Sequence, residues 1–141
     1  MRDSGLERFV AAQDAGGTYA QALRELRAGR KTSHWMWFVF PQLAGLGRSA
    51  TAQAYALSSL QEARDYLAHP VLGPRLRECT AAVRTHADQS AEEVLGGIDA
   101  LKLRSSMTLF ARAAPAEQAF AAVLDAFYAG EVDERTEQLL G

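Results

Sequence analysis

The sequence lacks several features that would assign a protein directly to a class. A single cysteine, Cys79, excludes an internal disulfide, and no cysteine or histidine spacing is typical of a zinc site. The most apolar run, residues 35–40, is far shorter than the roughly 18 residues that span a bilayer. The N-terminus has no apolar stretch of the signal-peptide type. We therefore expect a cytoplasmic protein with no membrane segment, no metal and no cofactor.

Acidic side chains are missing from two stretches of the chain. Residues 27–60 contain no Asp or Glu, and residues 100–116 carry only basic charges, whereas acidic side chains dominate from Glu117 onward. This distribution is either a chance partition of solvated charges or the lining of an anion site, since a nearby carboxylate would oppose an anion. The formal net charge of -2 gives no strong signal for nucleic-acid binding.

Helical patterns occupy most of the chain. Apolar residues recur at helical spacing, and pairs of residues typical of capping boxes precede several of these segments. The pairs are Ser4 with Glu7, Thr18 with Gln21, Ser59 with Glu62 and Ser90 with Glu93. With 48% apolar residues, the chain predicts an all-α fold, a single compact multihelical domain over residues 1–141 with short loops.

One segment, HWMWFVF at residues 34–40, is apolar on all sides, so periodicity alone does not separate helix from strand. No second segment reads as a partner strand, and we expect a short buried helix from near Ser33 to Pro41. Trp35 and Trp37 would point to different sides of it. One of them could form a stacking wall for a ligand ring; the alternative is that both belong to the core.

The segment GLGRSA, Gly45 to Ala50, fits the loose dinucleotide-binding pattern. That motif acts within a strand–helix–strand unit, which the helical surroundings argue against. A weaker interpretation is a flexible loop that presents Arg48, Ser49 and Thr51 to a phosphate or carboxylate. The alternative is a plain loop with a serine cap.

Polar side chains also lie in the apolar helix predicted at residues 99–112. Lys102, Arg104, Ser105 and Ser106 either bond their own helix carbonyls or converge on a polar ligand. Lys102 and Ser106 have the spacing of a nucleophile pair, but nothing in the sequence supplies an oxyanion hole. His34, between basic residues and tryptophans, is the candidate acid or base; the alternative is a histidine bonded to backbone.

Three blocks resemble the bacterial domain-of-unknown-function family numbered 1810. They are RKTSHWMWFVFPQLAGLGRS, YALSSLQEARDYLAHPVLGPRLRECTAAV and DALKLRSSMTLF. The resemblance implies a small, mainly helical fold and no established activity. Some members carry a calpastatin label, but calpastatins resemble disordered repeats, unlike this apolar and well-capped chain.

Two functional hypotheses follow. In the first, the protein binds a small anionic, nucleotide-like ligand, and hydrolyses it or transfers a group if it is an enzyme, in a cleft lined by segments 30–49 and 102–108. The candidate residues are Arg30, Lys31, His34, Trp35, Trp37, Gln42, Arg48, Ser49, Lys102, Arg104, Ser105 and Ser106. In the second, it is a non-catalytic protein-interaction module that uses an aromatic patch or the acidic C-terminal helices.

Overall fold

A computed structural model describes residues 5–141 and shows helices joined by short loops. Within this range there is no strand, and the only β-type pairing is an isolated parallel bridge between Leu43 and Leu57. The predicted all-α class is confirmed. The elements are α1 (Glu7–Asp14), a 3-10 turn (Ala15–Gly17), α2 (Thr18–Ala28), α3 (Met36–Val39), α4 (Ala50–Ala54), α5 (Leu60–Ala68), α6 (Leu72–Arg84), α7 (Ala91–Leu95), α8 (Gly97–Ala113), α9 (Gln118–Tyr128) and α10 (Glu134–Leu140).

Helix α8 is the centre of the fold and packs against α5, α7, α9 and α10. Its buried side chains include Leu103, Met107 and Phe110. The Phe110 ring lies 5.5 Å from the ring of Tyr66 on α5 and 5.7 Å from that of Phe120 on α9, measured between centroids. Burying such a side chain contributes roughly 1.5–3 kcal/mol to stability. One face of α8 is therefore fixed in the core, and the opposite edge of the helix is exposed.

Of the predicted capping pairs, one forms both of its hydrogen bonds and another forms only one. Ser90 and Glu93 make both bonds of a capping box at α7, and the Ser59 hydroxyl accepts a hydrogen bond from the Glu62 backbone at α5. Each bond satisfies an amide that the helix leaves without a partner. The pair at the start of α1 includes Ser4, which lies outside the described residues.

The capping box predicted at α2 is wrong. Gly17, in the left-handed conformation, precedes the first turn, and the Thr18 hydroxyl donates to the carbonyl of Ala15 instead. Two successive glycines with positive φ, Gly16 and Gly17, reverse the chain between α1 and α2, a geometry that costs glycine little.

The segment at residues 34–40 is a short helix, as predicted, but it begins at Met36 rather than near Ser33. The backbone N–H groups of Thr32 and Ser33 donate to the carboxylate of Glu25, which holds these residues outside the helix. The helix ends at Val39, before Pro41.

The C-terminal helix α10 starts with a side-chain cap, in which Asp133 accepts hydrogen bonds from the backbone and hydroxyl of Thr136. Leu140 is half-buried against the core. Leu139, by contrast, is 48% exposed. No helix within residues 5–141 has both the length and the apolar character that crossing a membrane requires.

Candidate functional site

Two adjoining clefts run along the exposed edge of α8. The first has a volume of about 380 Å³ and lies between residues 31–37 and the first turns of α8. The second, of about 460 Å³, lies between residues 42–52, α8 and the start of α10. The two clefts share Trp37, Ile98 and Lys102, so they adjoin at these three side chains. Each is within the size range of small-molecule sites, roughly 300–1,000 Å³.

Most of the residues proposed from the sequence line these clefts. Lys31, His34 and Trp35 line the first; Gln42, Arg48, Ser49 and Ser105 line the second; Trp37 and Lys102 lie in both. Segments 31–42 and 102–105 are far apart along the chain, yet both line this pair of adjoining clefts.

Three of the proposed residues lie outside it. Arg30 is exposed and lines neither cleft. The Arg104 guanidinium donates to the carbonyl oxygens of Glu131 and Val132, so it holds the loop between α9 and α10. Ser106 is fully buried and lines neither cleft.

The carboxylate of Glu25 fixes the loop that forms one wall of the first cleft. It accepts hydrogen bonds from the backbone of Thr32, from the backbone and hydroxyl of Ser33, and from Trp35 Nε1 at 2.9 Å; Gln21 donates a further one. Burial by itself would raise the pKa of this carboxyl, but these hydrogen bonds outweigh burial and lower it well below its usual range. Glu25 is therefore a buried, fully satisfied anchor.

At the floor of the first cleft, Asp99 lies between two lysines. Its Oδ2 is 2.7 Å from Lys31 Nζ, and its Oδ1 is 3.2 Å from Lys102 Nζ. The side chains are largely shielded from solvent, with 8% of Lys31, 18% of Asp99 and 20% of Lys102 exposed. Ion pairs in such surroundings are screened less than exposed ones. The three groups therefore hold one another in place.

Each lysine also lies over a tryptophan. Lys31 Nζ is 5.1 Å from the ring centroid of Trp35, and Lys102 Nζ is 3.9 Å from that of Trp37. Trp35 is buried. Trp37 is half-buried, and its Nε1 has no hydrogen-bond partner among residues 5–141. Because Lys102 covers one face of Trp37, a ligand ring could stack there only by displacing the ammonium group; the contact instead positions Lys102.

Asp99 is the main residue that sequence reasoning missed, and it corrects the picture of an acid-free site. The acid-free stretch begins directly after it, at Ala100, and the fold brings the carboxylate back into the first cleft. One signal was available: Asp99 lies in the first turn of α8, three residues before Lys102, a spacing that places two side chains together on a helix. Its pairing with Lys31 had no local signal.

Basic side chains outnumber acidic ones in the second cleft, where Arg48, Lys102 and Arg135 face only Asp133. One carboxylate oxygen of Asp133, Oδ2, accepts both hydrogen bonds from Thr136 and thereby caps α10. Within the described residues the guanidinium of Arg48 has no hydrogen-bond or ion-pair partner. Sequence reasoning missed Arg135, which follows the chain's most acidic segment.

The loop before α4 has the serine cap that the sequence left open. Ser49 Oγ accepts a hydrogen bond from the backbone of Ala52 at 3.1 Å. No strand–helix–strand unit surrounds it within residues 5–141, so the dinucleotide-binding interpretation has no structural basis. Gly47 is tightly enclosed here, because an added Cβ would lie 2.4 Å from Ala52 Cβ. The loop is a closely packed wall of the second cleft.

The hydroxyl groups of α8 largely bond their own helix. Ser105 and Thr108 donate to the carbonyl oxygens four residues earlier, at 3.2 and 2.8 Å. Ser106 Oγ is buried and has no partner within the described part of the chain. Lys102 Nζ is engaged by Asp99 rather than by Ser106, so the geometry shows no lysine–serine nucleophile pair.

The aromatic patch expected at residues 35–40 is not on the surface. Trp35 and Phe40 are buried, and Trp37 and Phe38 are half-buried. Among residues 5–141, the large apolar side chains that are exposed are aliphatic. Two of them, Ile98 at 73% and Leu101 at 62% exposure, flank the clefts; the others are Val132 and Leu139.

Comparison with known proteins confirms the resemblance drawn from the sequence. A family described as "Protein of unknown function (DUF1810)" matches residues 3–140. Among solved structures, the crystal structure of the conserved hypothetical protein Rv1873 from Mycobacterium tuberculosis is similar, with 56% sequence identity and a TM-score of 0.92. The match covers 96% of this chain and 95% of that one. No curated protein matches.

Proposed function

Since the chain belongs to the DUF1810 family of unknown function, we propose its function from the joined clefts: they bind a small anionic, nucleotide-like ligand. The observation that carries this proposal is that the guanidinium of Arg48 has no hydrogen-bond or ion-pair partner within residues 5–141 and lies in a cleft that also contains Lys102 and Arg135. Guanidinium and ammonium groups are the usual partners of phosphate and carboxylate oxygens.

The positioning of Lys102 supports the same proposal. Its ammonium is held at the junction of the two clefts by Asp99 on one side and by the Trp37 ring on the other. A cation that is fixed in this way loses little conformational freedom when it meets an anion, which favours binding. The apolar walls formed by Trp37, Ile98 and Leu46 suit the uncharged part of such a ligand.

His34 is the residue that we assign to acid or base chemistry on a bound ligand. It is exposed at the first cleft, and its ring has no hydrogen-bond partner within residues 5–141. A hydrolysis or group-transfer reaction would use such a free imidazole for proton transfer. The expected signature is that His34→Ala abolishes turnover but reduces the ligand-induced thermal shift much less than Arg48→Ala does.

The test is a thermal-shift screen of the purified protein against nucleotides, sugar phosphates and small carboxylates. A ligand at 100 times its dissociation constant stabilises the folded state by about 2.7 kcal/mol, which raises the melting temperature of a domain of this size by several degrees. We expect a shift that Arg48→Ala reduces strongly and that falls as the salt concentration rises.

Arg30→Ala is the matched control, because Arg30 is also exposed but lines neither cleft. It should leave the shift unchanged. Equal losses in both variants would mean that binding follows overall charge and not the cleft. A well-folded protein that responds to no anion in the panel would overturn the proposal.

An interaction module remains the second candidate, now without the aromatic patch. The observation in its favour is the exposed Leu139 on α10, in the acidic C-terminal part of the chain. Exposed apolar surface rimmed by polar residues marks protein contacts where it forms a patch, and Leu139 lines a small cleft together with Leu43, Leu60 and Leu140. In this case Leu139→Glu would abolish the capture of a purified partner, and Arg48→Ala would not affect it.

A further inference from the structure

The two clefts differ in whether their basic side chains already have an ion-pair partner. In the first, the ammonium groups of Lys31 and Lys102 both face the carboxylate of Asp99. In the second, the guanidinium of Arg48 has no partner within the described residues, and that of Arg135 donates one hydrogen bond, to the Gly45 carbonyl at 3.4 Å. Lys31 and Lys102 are therefore already paired with Asp99, whereas the guanidinium groups of Arg48 and Arg135 make no ion pair within residues 5–141.

An anion that entered the first cleft would have to compete with Asp99 for both lysines. Two negative groups at one cation pair repel each other, and this repulsion is strongest where solvent screening is weak. The carboxylate of Asp99 can still accept further hydrogen bonds while it pairs with the lysines, because each oxygen can accept more than one. Asp99 thus opposes an anion but suits a neutral group that donates hydrogen bonds.

The other side chains that line the first cleft also suit a neutral ligand that donates hydrogen bonds. The ring of His34 offers a nitrogen without a partner within residues 5–141, and Met36, Leu95 and Ile98 supply apolar surface. An added Cβ at Gly96 or Gly97 would meet no atom within 4 Å, so the edge of the cleft is open. A sugar ring combines hydroxyl donors with apolar C–H faces and fits this set of groups.

We propose that Asp99 is the residue that orients the ligand, and that the ligand is a phosphorylated sugar. Asp99 accepts hydrogen bonds from the sugar hydroxyls in the first cleft and thereby directs the phosphate to Arg48 and Arg135 in the second. Lys102, at the junction, contacts the phosphate from the sugar side. This inference rests on the proposed function and names the substrate class and a specificity-determining residue of the same site.

The test compares ribose 5-phosphate, 2-deoxyribose 5-phosphate and inorganic phosphate by isothermal titration calorimetry on the unaltered protein. We expect ribose 5-phosphate to bind at least about tenfold more tightly than inorganic phosphate, because hydrogen bonds to a charged acceptor are worth at least this factor. The deoxy sugar phosphate should fall between them. This comparison needs no substitution, so a variant that fails to fold cannot obscure it.

The second arm uses Asp99→Asn, with Arg48→Ala as its counterpart. Asp99→Asn should bring the affinities for ribose 5-phosphate and inorganic phosphate close together, and inorganic phosphate should bind the variant more tightly because a repelling charge is gone. Arg48→Ala should weaken both ligands by a similar factor and leave their ratio unchanged.

The outcomes separate this inference from the proposed function. Equal affinity of the unaltered protein for ribose 5-phosphate and inorganic phosphate would overturn the sugar assignment and leave anion binding standing. Equal weakening of both ligands by Asp99→Asn would mean that Asp99 only supports the lysines, which would also overturn the inference. If no anion binds to the unaltered protein, the proposed function fails and this inference fails with it.

Discussion

Lys31 Nζ lies 2.7 Å from Oδ2 of Asp99, so an ion pair joins the loop after α2 to the first turn of α8. The backbone N–H of Lys31 also donates to the carbonyl of Val94 on α7, at 2.7 Å. These two bonds place the loop against α7 and α8 and create the first cleft between them. The cleft is thus a product of contacts between segments that are distant in the sequence.

The Glu25 carboxylate should stabilise the fold, and its contribution should depend on pH. We expect Glu25→Gln to lower the free energy of unfolding at pH 7 by about 2 kcal/mol, because a neutral amide replaces a charged acceptor of several buried hydrogen bonds. The pKa of Glu25 is lowered in the folded protein. Its contribution is therefore fully present above the ordinary value of 4.5 and is lost as the pH falls below it.

Urea unfolding at pH 7 and at several lower pH values measures this effect. The stability curves of the unaltered protein and of Glu25→Gln should converge on acidification. Glu92→Gln, at an exposed position, is the control and should change stability little at either pH. A constant gap between the Glu25 curves would contradict the role assigned to the carboxylate.

Two glycines should respond in opposite ways to a methyl group. A Cβ on Gly73 would lie 2.2 Å from the carbonyl oxygen of Leu67, so Gly73→Ala should destabilise the protein by about 1–3 kcal/mol as the backbone shifts. At Gly97, the first residue of α8, a Cβ would have open space. Gly97→Ala should stabilise by up to about 1 kcal/mol, because alanine favours the helix. Thermal unfolding of both variants measures the two stability changes. Changes of the same sign would contradict the prediction.

The hydroxyl groups of Ser106 and Thr108 should differ in their contribution to stability. Ser106 Oγ is buried without a partner in the described part of the chain, so Ser106→Ala should leave stability unchanged or raise it by up to about 1 kcal/mol. Thr108 Oγ1 accepts a hydrogen bond from the backbone of Asp133 at 2.9 Å. Thr108→Val leaves that amide unpaired and should cost about 1–3 kcal/mol.

Denaturant titration of the two variants gives the comparison. A large loss of stability in Ser106→Ala would show that the hydroxyl has a partner, such as a bound water. The loss in Thr108→Val should be accompanied by faster hydrogen exchange in the loop between α9 and α10, since that loop is held by the lost bond.

Cys79 should be unreactive in the folded protein. Burial raises the pKa of its thiol to about 12. The thiolate is the reactive form, and the thiol is also inaccessible. We expect iodoacetamide at pH 8 to label the native protein many times more slowly than the protein unfolded in urea, as followed by mass spectrometry. Similar rates in the two states would show that the thiol is exposed.

The helices could be predicted because their signals are local. Ser59, Ser90 and Asp133 cap the helices that follow them, and the apolar spacing within each segment fixes its buried face. Local signals failed where a distant group intervened. The carboxylate of Glu25 takes the amides of Thr32 and Ser33, so α3 starts later than the apolar run suggested.

The candidate site was predicted only in part. The sequence indicated the polar residues that flank the aromatic run and those on α8, because such side chains are unusual in apolar surroundings. It also included Arg104, whose guanidinium instead holds backbone carbonyls. A side chain that supports a loop and one that faces a cleft have the same appearance in a sequence.

The sequence by itself determined the all-helical class, several helix starts and the residues with unusual polarity, since each depends on neighbours within a few positions. Only the tertiary structure decided which of these residues share a cleft. It placed Asp99 between Lys31 and Lys102 and left the guanidinium of Arg48 without a partner within the described residues. The physical reason is that ion pairing and cleft shape depend on how α8 packs against loops from distant parts of the chain, and no local pattern encodes that packing.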